Sequence, residues 1–178
     1  MKYNPKIHHR QSVRLRNFDY SQSGLYFITI CTMQRQMLFG EISNGEMCLN
    51  DLGQLVHKQW QSIPNHFLNT QLHDFIVMPN HLHGIIQLVG AQFIAPEFIA
   101  PETNQGAINR APTIGNIVRG FKARLTYAVH RLGIMPATPI WQRNYHEHII
   151  RNETSYQTIV NYVKTNPQRW AEDIYCSI

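Results

Sequence analysis

The sequence is poor in charge, and the charge it has is unevenly placed. Only 15% of its 178 residues are Asp, Glu, Lys or Arg. From Thr103 to His146 there is no acid at all, while Arg110, Arg119, Lys122, Arg124, Arg131 and Arg143 fall there. Lys2, Lys6, Arg10, Arg14 and Arg16 all precede the first acid, Asp19. With a net charge of +5, two one-sign stretches point to a polyanion partner, the plainer reading being a solvated basic face. Cysteine is scarce too. Cys31, Cys48 and Cys176 are scattered and form neither a disulfide framework nor a zinc knuckle. No apolar run approaches the roughly 20 residues of a membrane helix, and Met1 to Pro5 lacks a signal-peptide pattern. The expectation is a cytoplasmic protein without a membrane. Hydrophobic content of 43% excludes general disorder, and the length suits one domain over 1–178 with a sizeable core.

What is present centres on Met78-Pro79-Asn80-His81-Leu82-His83-Gly84. On a β-strand, residues two apart lie roughly 6.6 Å apart along one face. His81 and His83 would then point the same way and could hold one metal ion, with Leu82 pointing into the core. The bland alternative is a pair of surface histidines. Pro79 fits the start of a strand, where a missing N–H costs little.

Other elements follow in order. Residues 1–19 read as a basic arm. Gly24 to Thr32 is a strand rich in β-branched and aromatic residues. Met37–Ile42 and Met47–Leu49 flank Ser43-Asn44-Gly45, a hairpin signal. Asn50 or Asp51 caps a helix carrying Leu52, Leu55, Val56, Trp60 and Ile63, which Pro64 is expected to end. Strands His73–Met78 and His81–Leu88 come next. Phe93-Ile94-Ala95-Pro96-Glu97 is repeated as Phe98 to Glu102, so 89–112 reads as an exposed linker insertion.

Thr113 caps a second helix with Ile114, Ile117, Val118, Phe121, Leu125, Val129 and Leu132 as its stripe. Gly133 closes it. Gly115 and Gly120 have phosphate-loop spacing, but Phe121 stands where Lys is required, which excludes an NTPase. Trp141 to Arg151 reads as a last strand segment, and Asn152 caps a final helix from Glu153 to about Trp170. Tyr156, Ile159, Val160 and Val163 form its apolar stripe, while Tyr162 and Asn166 share another face one turn apart. This order predicts an α+β fold: a ferredoxin-like layer with a central antiparallel sheet covered by helices.

These motifs carry a resemblance. Met78 to His83 resembles the HUH motif of single-tyrosine transposases of insertion sequences. Trp141-Gln142-Arg143-Asn144-Tyr145, Glu147-His148, Ile150-Arg151-Asn152 and Asn161 to Pro167 are similar to the REP-associated tyrosine transposase subgroup. The similarity runs from about Arg16 to Trp170. It implies the HUH nuclease/transposase fold, His81, His83 and Asn166 as metal ligands, and Tyr162 as nucleophile. It further implies a 5′-phosphotyrosine intermediate, strand transfer without ATP, and single-stranded DNA hairpins as partner.

A divalent metal, Mg²⁺ or Mn²⁺, would polarise the scissile phosphate, and imidazole ligands favour the softer Mn²⁺. Arg14, Arg16, Arg119, Lys122, Arg124, Arg143 and Arg151 are the candidate DNA contacts. His148 is expected to be structural or to orient a ligand. A homodimer, with sites built in one chain or between two, stays open. Two other functions stay open as well: a non-catalytic DNA-hairpin binder, and a three-histidine metal hydrolase or oxygenase that would use His146-Glu147-His148.

Overall fold

In a computed structural model, which describes residues 22–89, 112–134 and 139–176, alternation along the chain becomes a two-faced sheet. β1 (Gly24–Cys31) turns Tyr26, Ile28 and Ile30 to one face and Phe27 and Thr29 to the other. β2 (Gly40–Ser43) and β3 (Glu46–Leu49) form the expected hairpin, a separate two-stranded sheet. Its turn residues Asn44 and Gly45 both have positive φ, 53° and 78°, as a two-residue hairpin of this twist requires.

Helix α1 (Asp51–Gln61) is capped by Asn50, whose Oδ1 accepts from the Gly53 N–H at 2.9 Å. Pro64 does not simply end it. The proline sits in the first turn of a short following helix, α2 (Ile63–His66), where its missing N–H is one of those left unpaired anyway.

β4 (Thr70–Met78) and β5 (His81–Leu88) pair antiparallel across the Pro79-Asn80 turn. α3 (Ile114–Arg131) starts at the Thr113 cap. Its expected stripe from Ile114 to Val129 is buried, but Leu132 is 64% exposed. Leu132 stands just past the last helical residue, where the helical spacing no longer aims a side chain at the core.

The last strand, β6, is shorter than expected (His146–Ile150), with Trp141 held separately in a bridge to Thr32. The last helix, α4 (Glu153–Thr165), also ends early, and Pro167–Glu172 continues as a 3-10 segment after Asn166. Asn166 keeps helical dihedrals (φ −55°, ψ −42°), and the change of helix type falls at Pro167, which has no N–H to continue the α-helical ladder.

The main sheet has the order β4-β5-β1-β6, antiparallel throughout. Counting only its own strands in chain order, that is 2-3-1-4. With α1 between the first and second strands and α3 between the third and fourth, this is the ferredoxin-like arrangement. α1 and α3 share the large core on one face, around Trp60, Phe121 and Ile28. Gly84 lets Trp60 approach β5, since a Cβ there would run into the indole.

On the opposite face α4 packs Val160 against Ile85 and Ile150. A register shift between Leu72 and Phe75 lets both His73 and Asp74 face α4. His73 Nδ1 meets the Tyr156 hydroxyl at 3.0 Å, and Asp74 meets Lys164 at 3.1 Å. The bulge therefore fixes α4 near both of its ends. Tyr156 is half-buried with its hydroxyl engaged in that bond. Among the described residues no helix is long and apolar enough to cross a membrane. The basic arm 1–19 and the linker 90–111 lie outside the described residues, and so do Arg14 and Arg16.

Candidate metal and nucleophile site

The alternation of β5 sends Leu82 into the large core and both histidines to the α4 face, with His81 and His83 ring centroids 4.4 Å apart. Both rings are buried, at 0% and 1% exposure, rather than lying on an open sheet surface. Burial has an electrostatic consequence. It pushes His81 down to about 4, with Asp173 opposing and Arg35 reinforcing the shift. Burial, then the neighbouring His81, holds His83 well below the usual imidazole range. Both rings are therefore neutral near pH 7, the form that ligates metals.

The tautomer of His81 follows from its neighbour. Asn80 donates its Nδ2 hydrogens to the carbonyls of Arg35 and Tyr175 at 3.1 and 2.7 Å, which turns its Oδ1 toward His81 Nδ1 at 2.8 Å. That oxygen can only accept, so the His81 proton sits on Nδ1 and Nε2 carries a bare lone pair. His81 Nε2 is buried and has no hydrogen-bond partner among the described residues. His83 is oriented in the same manner by Thr29 Oγ1, 2.8 Å from Nδ1. Thr29 stands opposite His83 in the β1–β5 register.

α4 supplies the other half of the site. The Tyr162 hydroxyl lies 3.1 Å from His83 Nε2 and 3.4 Å from Asp173 Oδ2. One turn on, Asn166 donates from Nδ2 to Asp173 Oδ2 at 2.7 Å, leaving its Oδ1 buried and without a partner. Burial and the Asp173 carboxylate push the Tyr162 phenol up to about 12. One nitrogen of each histidine and a carboxylate oxygen of Asp173 lie within 4.8 Å of one another.

The four residues expected to act together do converge. Asp173 is an addition that no sequence pattern signals, since it lies beyond the last periodic helix. Trp170 and Tyr175 close over His81, with ring centroids 5.9 and 4.7 Å from it. A cleft of about 220 Å³ opens beside Tyr162, Thr165, Asn166, Arg169 and Asp173.

His81 Nε2 and Asn166 Oδ1 are buried lone-pair donors without a partner among the described residues, set beside an imidazole nitrogen of His83 and a carboxylate oxygen of Asp173. This nitrogen-and-oxygen set fits a divalent ion of intermediate softness.

The remaining expected site residues are dispersed. His146 and His148 are on β6, with β1 between them and the β5 histidines, so they stand about two strand spacings, roughly 9–10 Å, from that strand. The His81, His83 and Asp173 group includes neither of them. Arg119, Arg143 and Arg151 are exposed. Lys122 instead turns inward and donates to the carbonyls of Gln142 and Asn144, each at 2.8 Å. Its burial pushes the ammonium down to about 8. Arg124 lies over the Phe67 ring at 5.5 Å.

No family profile matches the chain. A protein of Haemophilus influenzae (strain ATCC 51907 / DSM 11121 / KW20 / Rd), described only as uncharacterized, is 43% identical over 176 residues, which is 97% of this chain and 96% of that protein. Among solved structures, a REP-associated tyrosine transposase bound to a REP hairpin aligns with a TM-score of 0.57 at 21% identity, over 88% of this chain and 73% of that one. A putative transposase from Deinococcus radiodurans R1 aligns with a TM-score of 0.46 at 15% identity, over 85% of this chain and 95% of that one.

Proposed function

Because this chain belongs to the family of the uncharacterized Haemophilus influenzae protein and has the fold of the HUH tyrosine transposases, we propose that it is a metal-dependent single-stranded DNA transposase. In this reading it cleaves and rejoins DNA next to hairpins through a 5′-phosphotyrosine on Tyr162. The observation that carries the reading is the convergence of His81 Nε2, Asn166 Oδ1 and the Tyr162 hydroxyl on one side of the sheet.

His81, His83 and Asn166 would hold a divalent ion, Mg²⁺ or Mn²⁺, with Asp173 close enough to join them. When bound, such an ion supplies Lewis acidity toward a phosphoryl oxygen. The protein's own residues do the rest. α4 holds the Tyr162 oxygen in place for in-line attack, which removes much of the entropic part of the barrier. The phenol is protonated at neutral pH, so its proton must leave as the oxygen attacks. With His83 Nδ1 held by Thr29 and its Nε2 committed to the ion, Asp173 Oδ2 is the acceptor within reach. The P–O bond to the upstream strand breaks as the Tyr–O–P bond forms, releasing a 3′-hydroxyl that can later attack the phosphotyrosine. One phosphodiester is exchanged for another, so no nucleotide cofactor is needed.

A non-catalytic hairpin binder would have no use for an oriented phenol beside bare ligand atoms. The test is incubation with labelled single-stranded hairpin DNA and Mn²⁺, followed by a denaturing gel. A metal-dependent covalent adduct supports the reading, and its absence across a set of hairpins with Mn²⁺ and Mg²⁺ overturns it.

A further inference from the structure

Phe27 belongs to the site without being able to react. Its ring stacks on His83 at 5.2 Å between centroids with a 26° tilt, and meets the Tyr162 ring edge-on at 6.2 Å. The same ring forms a wall of a second cleft of about 580 Å³, bounded by His148, Asn152, Ser155, Thr158 and Ile159. That size is typical of small-ligand clefts, about 300–1,000 Å³. His148 is the direct cross-strand partner of Phe27 and is exposed.

On α4, Ser155, Thr158 and Tyr162 follow the helical spacing of one face. Thr158 is about 6 Å and Ser155 about 10.5 Å from Tyr162 along the axis. The cleft therefore begins one turn from the reactive phenol and runs along the helix toward its start.

We propose that this cleft takes the base of a nucleotide flanking the scissile phosphate, stacked on Phe27 and contacted by His148 and Thr158. The chemistry of the lining separates a base from the phosphate backbone. Among the described residues the walls contain no Lys, Arg, Asp or Glu, so no fixed side-chain charge there pairs with a phosphate. They offer an aromatic face, an aliphatic side chain, hydroxyls, an amide and an imidazole, which suit a flat neutral ring with hydrogen-bonding edges. The Thr158 hydroxyl donates to the Thr154 carbonyl at 2.8 Å, so toward the cleft its oxygen acts as an acceptor. A base in this position would help fix the register of the strand across the metal and Tyr162. His148 then acts on the substrate and not on a metal ligand.

This inference rests on the proposed single-stranded DNA substrate, and its test separates the two. Hairpins with single-stranded tails on either side would carry a fluorescent purine analogue, walked position by position through each tail. The wild-type protein should quench the analogue at one position, with the tail identifying which side of the phosphate is read. Filling the cleft with Ser155→Leu/Thr158→Leu should abolish that quenching and weaken binding about tenfold, and His148→Ala should weaken both. Mn²⁺ affinity should not change in either variant. Quenching that persists in the filled variant, or no quenching at any position, overturns the inference. Covalent adducts are read on denaturing gels from the same samples. An adduct without position-specific quenching would overturn the cleft and leave strand transfer standing, whereas quenching without an adduct would do the reverse.

Discussion

The Tyr162 hydroxyl lies 3.1 Å from Nε2 of His83, although 79 residues separate the two in the chain. β5 aims the histidine, Thr29 holds its other nitrogen, and the β4 bulge fixes the helix that brings the tyrosine. A second neighbour sets the state of the phenol, because Asp173 Oδ2 is 3.4 Å from the same oxygen.

The effect of Asp173 has a definite sign. Burial and the carboxylate both disfavour the phenolate, pushing Tyr162 up to about 12. Asp173→Asn removes the negative charge and should move the Tyr162 ionisation to lower pH. Ultraviolet titration of the metal-free protein, with Tyr162→Phe as the subtraction control, reads that ionisation alone. An unchanged titration would separate Asp173 from the phenol.

Acid should destabilise the fold through the two histidines. The folded-state value for His81 is about 4 against 6.5 for an ordinary imidazole, and His83 is also depressed. The unfolded chain thus binds more protons as pH falls below 6.5. Each histidine then contributes a loss of up to about 1.4 kcal/mol per pH unit until its own folded-state value is reached. Denaturant unfolding at pH 7 and pH 5 should show this loss, and saturating Mn²⁺ should raise stability at both pH values without flattening the dependence, because the folded rings are neutral across the window and only the unfolded chain takes up protons. His83→Phe should flatten the dependence. A wild-type slope retained in that variant would count against His83 as a source.

Because both rings are buried, the ligand variants are not structurally silent. His81→Ala and His83→Ala each leave a cavity and should cost about 2–4 kcal/mol of stability, besides abolishing Mn²⁺ binding measured by calorimetry. Asn166→Ala should weaken binding less, since water can replace an amide oxygen. Wild-type Mn²⁺ affinity in both histidine variants would remove the metal assignment.

Several features could be read from the sequence because they are local. His-Leu-His alternation, the Asn44-Gly45 turn and the caps at Asn50, Thr113 and Asn152 each depend on a few neighbouring residues. The one-turn spacing of Tyr162 and Asn166 is local as well. Asp173 could not be found this way. It reaches the site only because the 3-10 segment after Asn166 folds back over β5, and no periodicity signals that return. The inward course of Lys122 escaped for a related reason. Its position on α3 reads as solvated, yet its long stem lets the ammonium reach two carbonyls of the loop before β6.

The basic residues should accordingly divide into two groups. Arg119, Arg143 and Arg151 are exposed, and charge reversal at any that contacts DNA should lower hairpin affinity and reduce the salt slope by about one. Lys122→Met should act mainly on stability, by about 1–3 kcal/mol, through the two carbonyls it leaves. Salt titrations of binding paired with thermal unfolding distinguish the two outcomes. A reduced salt slope with unchanged stability in Lys122→Met would place that residue on DNA instead.

The most direct measurement is the identity of the tyrosine that carries DNA. A trapped adduct formed with a single-stranded hairpin and Mn²⁺ would be digested and sequenced by mass spectrometry. Tyr156 is held by His73, and Tyr145 packs against the large core, so neither is positioned as Tyr162 is beside His83. The expected result is a nucleotide on Tyr162, and hairpin binding without any adduct in Tyr162→Phe. A nucleotide on Tyr145 or Tyr156, or an adduct that survives in Tyr162→Phe, would contradict the assignment of the nucleophile.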